Sequence, residues 1–489
     1  MTSPKVLRSS DGSRRRRAAA LACPYCGPVV QHTAAHPEVA RSAVRPLRWD
    51  LVAVSAAAGL VTAAAVVGVW LDRLPGHLVF AAAPPLFASW LPHTGPGTPA
   101  AVLLALAVVA RGPELADRLP WRRALLAGYS AAVAWTFALA LVDGWQRGLA
   151  ARLTSGHEYL HEVPGVTDIG AMLHGFTARI LDFQPDSWTT HVAGHPPGAL
   201  LVFVWLDRIG LAGGGWAAVT CVLVGCLAAV AVPVTLRAAG AEPVARAALP
   251  FAVLFPGAVW VGASADGLFT GVTATGVALL AVGARAAGPE RVVPACLAGG
   301  ALLGFGAFLS YGLVLLAAVA LVVPLLLRHA WAAGLAAAGA LAVVAAFALA
   351  GFWWPDGYHL VVRRYYQGIG AERWYAYWVW ADLAALAVAV GPAAVAGLRR
   401  AAALARGYRP GHAGGGRSAV VPLAGAAALA VLAADLSGLS KAEVERIWLP
   451  FAVWLVSAAA LLPSASRRWW LAGQAATALA VNHLLLTNW

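Results

Sequence analysis

Charged residues are scarce in this sequence. Of its 489 residues only 12% are charged and 60% are hydrophobic, and the mean hydropathy is +0.72. This composition excludes a soluble enzyme with one large core and predicts an all-α protein that crosses a membrane many times. The net charge of +13 could indicate a nucleic-acid partner, but the arginines lie in short loops and tails beside apolar segments. That distribution is typical of cytoplasmic loops, so we expect no nucleic acid.

Cysteine is also scarce, which excludes a disulfide framework. The three cysteines in apolar runs, predicted to be small core residues, are Cys221, Cys226 and Cys296. Cys23 and Cys26, followed by His32 and His36, are residue types that bind zinc, but their spacing is too short for an ordinary zinc finger. We therefore interpret residues 1–50 as a basic, disordered tail. Because no signal-peptide segment precedes Arg48, we expect this tail in the cytoplasm.

Lysine and nucleotide-binding motifs are almost missing. Only Lys441 follows Lys5, while alanine, glycine, valine and arginine are abundant. This bias indicates a GC-rich genome, such as that of an actinobacterium. The sequence contains no P-loop and no glycine-rich nucleotide fingerprint, and its outer loops contain no HExxH motif. A cytosolic nucleotide-dependent enzyme is therefore not expected.

The apolar runs predict about thirteen membrane-spanning helices. They lie at 51–71, 97–112, 123–142, 215–236, 247–264, 267–285, 293–309, 312–328, 331–352, 381–398, 418–434, 447–463 and 469–487. Several are shorter than the roughly 20 residues that a bilayer needs. We expect four parts: the tail at 1–50, two extra helices at 51–122, a main module at 123–463 that includes the loop 143–214, and a last helix at 464–489.

The arginines predict which side of the membrane each loop faces. With the N-terminus inside, every predicted inner loop contains arginine, including the cluster at 399–417. This holds only if the apolar run 199–211 does not cross. That run is short and ends in Asp207 and Arg208, so we expect a helix in or on the outer face. The loop 143–214 is then extracytoplasmic, and the C-terminus lies outside.

The loop 143–214 combines acidic residues and histidines, which makes it the natural place for chemistry in a membrane protein. Asp143 directly follows an apolar helix, a position that suits a general base at the membrane surface, although Asp-Gly is also a common turn. His191 and His195 could contact a phosphate or a sugar, or could be interfacial residues. Residues 168–183 place apolar side chains on one helical face, which predicts an amphipathic helix lying on the membrane.

An aromatic stretch at 351–380 contains ten tryptophans and tyrosines, with arginines between them. Aromatic faces can stack on sugars and isoprenoid chains, and arginine binds phosphate. We therefore expect Arg363, Arg364 and Tyr365 to contact a ligand. The alternative is an aromatic belt at the membrane interface.

Three further charged residues lie at predicted outer helix ends. Lys441 and Arg446 precede a helix, and charges at such a position are costly unless they are paired or functional. They could hold a lipid-linked phosphate, or they could form ion pairs with Glu443 or Glu445. Asp266 lies in a turn between two helices and is either a second acidic residue of the site or only a turn residue.

These features resemble the GT-C superfamily of membrane glycosyltransferases, especially its protein O-mannosyltransferase and aminoarabinose transferase branch. The resemblance is carried by a helix that ends in Asp143, a long outer loop, the run His195-Pro196-Pro197-Gly198-Ala199-Leu200-Leu201, and Asp266. It covers roughly residues 123–460. Two positions depart from the pattern: Gly198 stands where leucine usually follows the prolines, and Gly144 stands where many relatives have a second acidic residue.

The resemblance implies inverting transfer of a sugar from a polyprenyl phosphate to a cell-envelope glycan, lipid or protein outside the plasma membrane. It implies that Asp143 is the base, with Glu158 in reserve, and that Arg446, Lys441 or Arg363 holds the leaving phosphate. Some relatives use a divalent metal, but no ligand cluster in this sequence requires one.

Two other functional classes stay open at this point. The first is a transporter or flippase of a lipid-linked sugar, for which we would expect internal repeats and polar residues within helices. The second is a non-catalytic scaffold of cell-wall assembly, which would tolerate loss of Asp143.

Overall fold

Helices form at almost every predicted apolar run. The computed structural model describes residues 47–76, 78–407 and 419–487. The first helices are α1 (Leu47–Asp72), α2 (Thr98–Arg118), α3 (Trp121–Ala140), α4 (Ile169–Gly175), α5 (Thr190–Gly194), α6 (Pro197–Arg208), α7 (Gly214–Gly225), α8 (Ala228–Ala238), α9 (Glu242–Val253) and α10 (Ala258–Val261). The others are α11 (Ala265–Arg285), α12 (Pro289–Leu309), α13 (Ala317–Leu327), α14 (Ala330–Leu349), α15 (Trp354–Tyr365), α16 (Tyr375–Ala405), α17 (Val420–Leu436), α18 (Val444–Ile447), α19 (Leu449–Val456) and α20 (Arg467–Leu484).

In the described residues, eight helices are long and apolar enough to cross a membrane, or nine if one bent pair is a single span. This confirms a helical, multi-pass membrane protein, but it does not confirm thirteen crossings. Two of the other predicted spans, 312–328 and 418–434, correspond to apolar helices of fewer than 18 residues. The predicted span 247–264 is interrupted after α9, next to Pro256 and Gly257. Proline ends regular helix hydrogen bonding, which explains the break.

The bent pair explains the last two predicted spans. Leu449–Leu461 and Ser464–Leu484 meet at an angle of 111°. Pro463 lies between them, and a proline there prevents one continuous helix. The chain then ends in strand β2 (Leu485–Thr487), which pairs antiparallel with strand β1 (Ala88–Trp90). This two-stranded ribbon is the one β-sheet in the described part of the chain, and the sequence does not predict it.

The predicted tail and its cysteines, Cys23 and Cys26, lie outside the described residues. The described residues belong to one compact unit, and α1 packs along α16. Asp50 in the first turn of α1 is fully buried, with its carboxylate oxygens 2.7 Å from Arg399 and 2.5 Å from Arg400. Both arginines belong to the last turns of α16. This ion-pair group therefore ties the start of α1 to the end of α16.

The loop 143–214 is built of short helical turns around its own apolar core. Met172 and Phe176 are buried, and Phe176 packs against Trp188 and Phe352 at ring distances of 5.2 and 5.6 Å. The prediction that this apolar face lies on the membrane was therefore wrong, because the face is covered by protein. Most of the following run, 199–211, lies in α6, which has only 12 residues. That length agrees with a helix that does not cross.

Gly198 marks a close approach between α6 and α12. A Cβ atom at this position would lie 2.5 Å from the carbonyl oxygen of Phe308. Any side chain would therefore push the two helices apart. Close packing explains why glycine, rather than leucine, follows the two prolines here.

We predict that Asp50→Asn lowers the stability of the protein by about 3 kcal/mol, because it leaves two arginines without their buried counter-charge. The measurement is the thermal unfolding of the full chain in detergent. Asp117→Asn is the matched control, because Asp117 is 57% exposed and lies 3.6 Å from Arg467. A surface pair of that kind contributes at most about 1 kcal/mol. Equal effects of the two substitutions would contradict the prediction.

Candidate functional site

One cavity of about 620 Å³ collects most of the predicted site residues. It is bounded by the α5–α6 connection, the start of α11, the segment after α12, helix α15, the end of α17 and the residues around α18. Its charged and histidine side chains are Asp182, His191, His195, Asp266, Arg364, Arg373, Lys441, Glu443 and Arg446. Its aromatic side chains are Tyr311, Trp354, Tyr358, Tyr365, Trp448 and Phe451. The cavity is therefore polar on one part of its wall and apolar on another.

A chain of buried ion pairs forms the polar wall. Asp266, in the first turn of α11, lies 2.7 Å from the guanidinium of Arg446 through its Oδ2 atom. The second Nη of Arg446 lies 3.1 Å from Glu443, and the other oxygen of Glu443 lies 3.1 Å from Arg373. Two carboxylates and two guanidinium groups thus alternate, which offsets the cost of burying each charge.

The segment that carries Glu443 has an unusual backbone. Ala442 and Glu443 both have positive φ, at 68° and 63°. Side chains disfavour this left-handed conformation by about 1–2 kcal/mol per residue, so the surrounding structure must enforce it. The preceding amides are held by side chains: Lys441 N–H donates to Tyr365 Oη at 3.1 Å, and Ala442 N–H donates to Asp382 Oδ1 at 3.2 Å. This strained turn places the Glu443 carboxylate 3.1 Å from both Arg373 and Arg446.

Glu158 lies behind this wall, beside His191. Its Oε1 atom is 3.4 Å from His191 Nε2, and the residue is 2% exposed. Burial raises the pKa of Glu158 to about 7; Arg446 opposes this rise, whereas Asp266 and Glu443 add to it. Burial, and then the charge of Arg446, lower the pKa of His191. The pair therefore places an exchangeable proton near neutral pH next to the cavity.

His195 has a defined tautomer. Its Nδ1 atom lies 2.8 Å from the carbonyl oxygen of His191. A carbonyl can only accept, so Nδ1 carries the proton and Nε2 is left as an acceptor while the ring is neutral. Burial lowers the pKa of His195, which favours that neutral form. The ring lies against Tyr159 and Phe269.

Lys441 differs from the other cations of the cavity. Its Nζ atom donates to the carbonyl of Arg373 at 3.1 Å and lies 5.7 and 5.6 Å from the rings of Tyr365 and Tyr366. In the part of the chain that the structure describes, no carboxylate forms an ion pair with it, whereas Arg364 pairs with Asp182. Burial and the charge of Arg373 lower the pKa of Lys441. An anionic ligand would supply the counter-charge that this ammonium group lacks.

The structure thus brings together most of the residues singled out from the sequence. Those that line the cavity are Asp266, His191, His195, Arg364, Tyr365, Lys441 and Arg446. Glu158 does not line the cavity, but it contacts His191, which does. The ion pair of Arg446 with Glu443 also forms, as the alternative interpretation of that stretch expected.

Asp143 and Arg363 lie apart from the cavity. Arg363 is exposed on α15, one residue from Arg364 and therefore on a different face of the helix. Asp143 belongs to another ion-pair group, with Arg147 at 2.7 Å, His93 at 3.2 Å and Arg152 at 3.4 Å. Asp143 does not line the cavity, so it is not placed to take a proton from a substrate bound there.

The aromatic stretch 351–380 divides between three environments. Trp354, Tyr358 and Tyr365 line the cavity. Tyr377 and Trp378 are buried in the contact between α16 and α1. Those that are exposed are Trp353, Tyr366, Trp374 and Tyr375. Neither a ligand site nor an aromatic belt accounts for the whole stretch.

Several site residues had no clear signal in the sequence. The sequence indicates Glu443 only as a partner of Arg446, but its carboxylate also binds Arg373. Asp182 and Arg364 form an ion pair across 182 residues, which no local pattern reveals. Trp448 resembles the many other aromatic residues of the chain. No group of three or more histidine, cysteine or acidic side chains suited to a metal is found in the described ranges.

Comparisons with known proteins identify no relative: no family model, no curated protein and no solved structure matches the chain. The functional assignment therefore depends on the cavity itself.

We predict that Glu158→Gln changes the pH dependence of stability. Because the pKa of Glu158 is raised in the folded protein to about 7, its favourable contribution is complete below about pH 4.5, the unfolded value, and is lost as the pH rises through 7. The loss is on the order of 3 kcal/mol. Glutamine stays neutral, so the melting temperature of the variant relative to wild type should become more positive between pH 5 and pH 8.

The control for this measurement is Glu114→Gln, because Glu114 pairs with the exposed Arg118. Its difference from wild type should stay nearly constant over the same range. Burial also raises the pKa of Glu445. Because Glu445 is present in wild type and in both variants, its effect on stability cancels in the comparison. A pH-independent difference for Glu158→Gln would show that this carboxyl is already ionised at pH 5.

Proposed function

We propose that this protein is a GT-C-type membrane glycosyltransferase that transfers a sugar from a polyprenyl phosphate to a hydroxyl group of a cell-envelope acceptor. The observation that carries the proposal is the composition of the cavity of about 620 Å³. It is lined by a carboxylate, Asp266, by several apolar side chains, and by Lys441, whose ammonium group has no carboxylate partner among the described residues. The resemblance of the loop 143–214 to that superfamily supports the same conclusion.

The reaction we propose is a single displacement with inversion. The acceptor oxygen attacks the anomeric carbon as the bond from that carbon to the phosphate oxygen breaks, and the phosphate leaves with the electron pair. We assign the base to Asp266, which lines the cavity and receives the acceptor proton. Arg446, 2.7 Å away, orients this carboxylate and stabilises its charge. We therefore assign the role of general base to Asp266 and not to Asp143.

Lys441 is the group that would neutralise the phosphate. A preorganised cation at a developing negative charge lowers the barrier by a few kcal/mol in a site shielded from water. Tyr365 fixes the backbone of Lys441 from α15. The apolar side chains that would accommodate the isoprenoid chain are Leu313, Leu315, Val361, Val362 and Phe451.

The same proposal places the cavity on the extracytoplasmic side of the plasma membrane. Arg373, which lines the cavity, lies two residues before α16, whereas Arg399 and Arg400 belong to its last turns. The segment Tyr375–Ala405 is interrupted at Gly391 but is long and apolar enough to cross a membrane, so these arginines lie at opposite ends of a candidate span. Arginine clusters favour the cytoplasmic side, so the opposite end of α16 faces outward.

We predict that Asp266→Asn abolishes transfer of a radiolabelled sugar from a polyprenyl phosphate donor, with a loss of at least about a hundredfold, because the base is removed. Arg446 keeps Glu443 as a partner, so the variant should still fold. Asp143→Asn is the matched control and should retain transfer. The assay uses membranes that contain equal amounts of each protein, and gel filtration checks that each variant is monodisperse.

The outcomes of this assay separate the functional classes. Loss of transfer in Asp143→Asn alone would return the base to Asp143. Loss in Glu158→Gln, with full activity of Asp266→Asn, would assign it to Glu158. No transfer by wild type from any of several mannose and arabinose donors would contradict the enzyme and favour a transporter of lipid-linked sugars.

We also predict the orientation of two exposed positions. In a chain with Cys23 and Cys26 replaced by serine, Ser155→Cys should react with a membrane-impermeant maleimide on intact cells. Gly407→Cys, just beyond the C-terminal end of α16, should react only after the cells are permeabilised. The remaining cysteines, Cys221, Cys226 and Cys296, are buried and give no background. The reverse labelling pattern would place the cavity in the cytoplasm.

A further inference from the structure

The side chain of His195 offers the cavity an open proton acceptor. Its Nδ1–H donates to the carbonyl oxygen of His191 at 2.8 Å, so the lone pair of the neutral ring is on Nε2. No group among the described residues donates a hydrogen bond to Nε2, and this atom keeps accessible surface. The residue lines the cavity and is partly exposed. A group in the cavity can therefore reach this nitrogen.

The position of the ring is fixed by its neighbours. The imidazole centroid lies 5.8 Å from the ring of Tyr159 and 5.7 Å from the ring of Phe269. Phe269 follows Asp266 by three residues on α11, which is about one helical turn. His195 therefore packs against the same end of α11 that carries the Asp266 carboxylate.

A base that receives a proton must lose it before the next turnover. Asp266 is only 3% exposed. Its direct partner is the guanidinium group of Arg446, which cannot accept a proton. The proton that Asp266 takes from a substrate therefore needs a second acceptor in the cavity.

His195 fits this role better than the other acceptors that line the cavity. The carboxylates of Asp182 and Glu443 are both paired with arginine. The Nε2 atom of His191 lies 3.4 Å from the Glu158 carboxyl. The Nε2 atom of His195 has neither constraint, and it belongs to a ring that is neutral when its lone pair is open.

The charges around His195 suit a group that changes its protonation state. Burial lowers the pKa of His195; the charge of Asp266 and the hydrogen bond to His191 oppose this shift, whereas the charge of Arg446 adds to it. The ring is therefore neutral, and able to accept a proton, at neutral pH. The imidazolium that forms is stabilised by the Asp266 carboxylate.

We propose that His195 takes the substrate proton from Asp266 and releases it to water. This inference rests on the proposed function, because Asp266 is the base assigned there. As the acceptor oxygen bonds to the anomeric carbon, its O–H bond breaks and Asp266 is protonated. The carboxyl O–H bond then breaks as the Nε2–H bond forms, which restores the carboxylate and gives an imidazolium. Loss of that proton to water returns the neutral ring.

The first test measures the reactivity of His195 without any transfer reaction. Diethyl pyrocarbonate modifies accessible nitrogen atoms of neutral histidine, and mass spectrometry of the full chain in lipid nanodiscs gives the rate at each pH. His195 should react, and its rate should rise with pH as the ring loses its proton. In Asp266→Asn the midpoint of this rise should shift to lower pH, because no carboxylate stabilises the imidazolium. His157 is the internal control, because it is exposed and does not line the cavity.

Two results of this labelling would contradict the proposal. If His195 does not react while His157 does, the Nε2 atom is not open to the cavity. If the midpoint for His195 is the same in wild type and Asp266→Asn, the two groups are not coupled. A shift at His195 with an unchanged midpoint at His157 supports the proposed pair.

The second test follows sugar transfer as a function of pH. His195→Gln keeps a hydrogen-bonding side chain but cannot hold a proton, so kcat should fall about a hundredfold, while the KM of each substrate stays nearly the same. In wild type kcat should rise with pH as His195 becomes neutral, and this rise should be absent from His195→Gln. Added imidazole should restore part of kcat in His195→Ala. His157→Gln is the matched control and should keep the kcat of wild type.

The two tests separate the relay from the proposed function. If wild type transfers no sugar but the labelling of His195 depends on Asp266, the coupled pair stands and the enzymatic proposal fails. If wild type transfers sugar and His195→Gln keeps both kcat and its pH dependence, the enzyme stands and the relay fails. A loss of kcat that imidazole does not reverse, with an unchanged pH dependence, assigns His195 a structural role and also overturns the relay.

Discussion

The buried ion-pair chain Asp266–Arg446–Glu443–Arg373 is the constraint on which the rest of the site depends. It joins the start of α11, the helix α18 with the turn before it, and the segment before α16. Removing one partner of a buried pair costs about 3–5 kcal/mol, because the remaining charge stays buried. These three segments therefore cannot move independently, and the strained backbone at Glu443 is tolerated because two guanidinium groups bind that carboxylate. The cavity wall is rigid for the same reason.

The positions of the helices could be predicted from hydropathy, but their continuity could not. Apolar composition reports that a segment avoids water, and nearly every predicted run is helical. Whether a run crosses the membrane depends on unbroken hydrogen bonding, and this is interrupted near Pro256 and bent at Pro463. The ribbon of β1 and β2 joins segments almost 400 residues apart, a pairing that no local pattern contains.

The candidate site could be predicted as a set of residues, but its division into roles could not. Lys441, Arg446 and Asp266 were recognisable because charges beside apolar helices are costly without a purpose. Asp143 met the same criterion, and only its distant partners His93 and Arg152 distinguish it. One local signal was available: Arg147 follows Asp143 at the i,i+4 spacing that favours a helical ion pair.

The two acidic residues of the site have different partners. Asp266 has a guanidinium group as its direct partner, whereas Glu158 has a neutral histidine and is shielded from water. Burial raises the pKa of Glu158 to about 7, so this carboxyl exchanges a proton near neutral pH. Because the charge of Arg446 lowers the pKa of Glu158 against the effect of burial, an anion bound beside Arg446 would raise that pKa, and the proton content of Glu158 would respond to what the cavity holds.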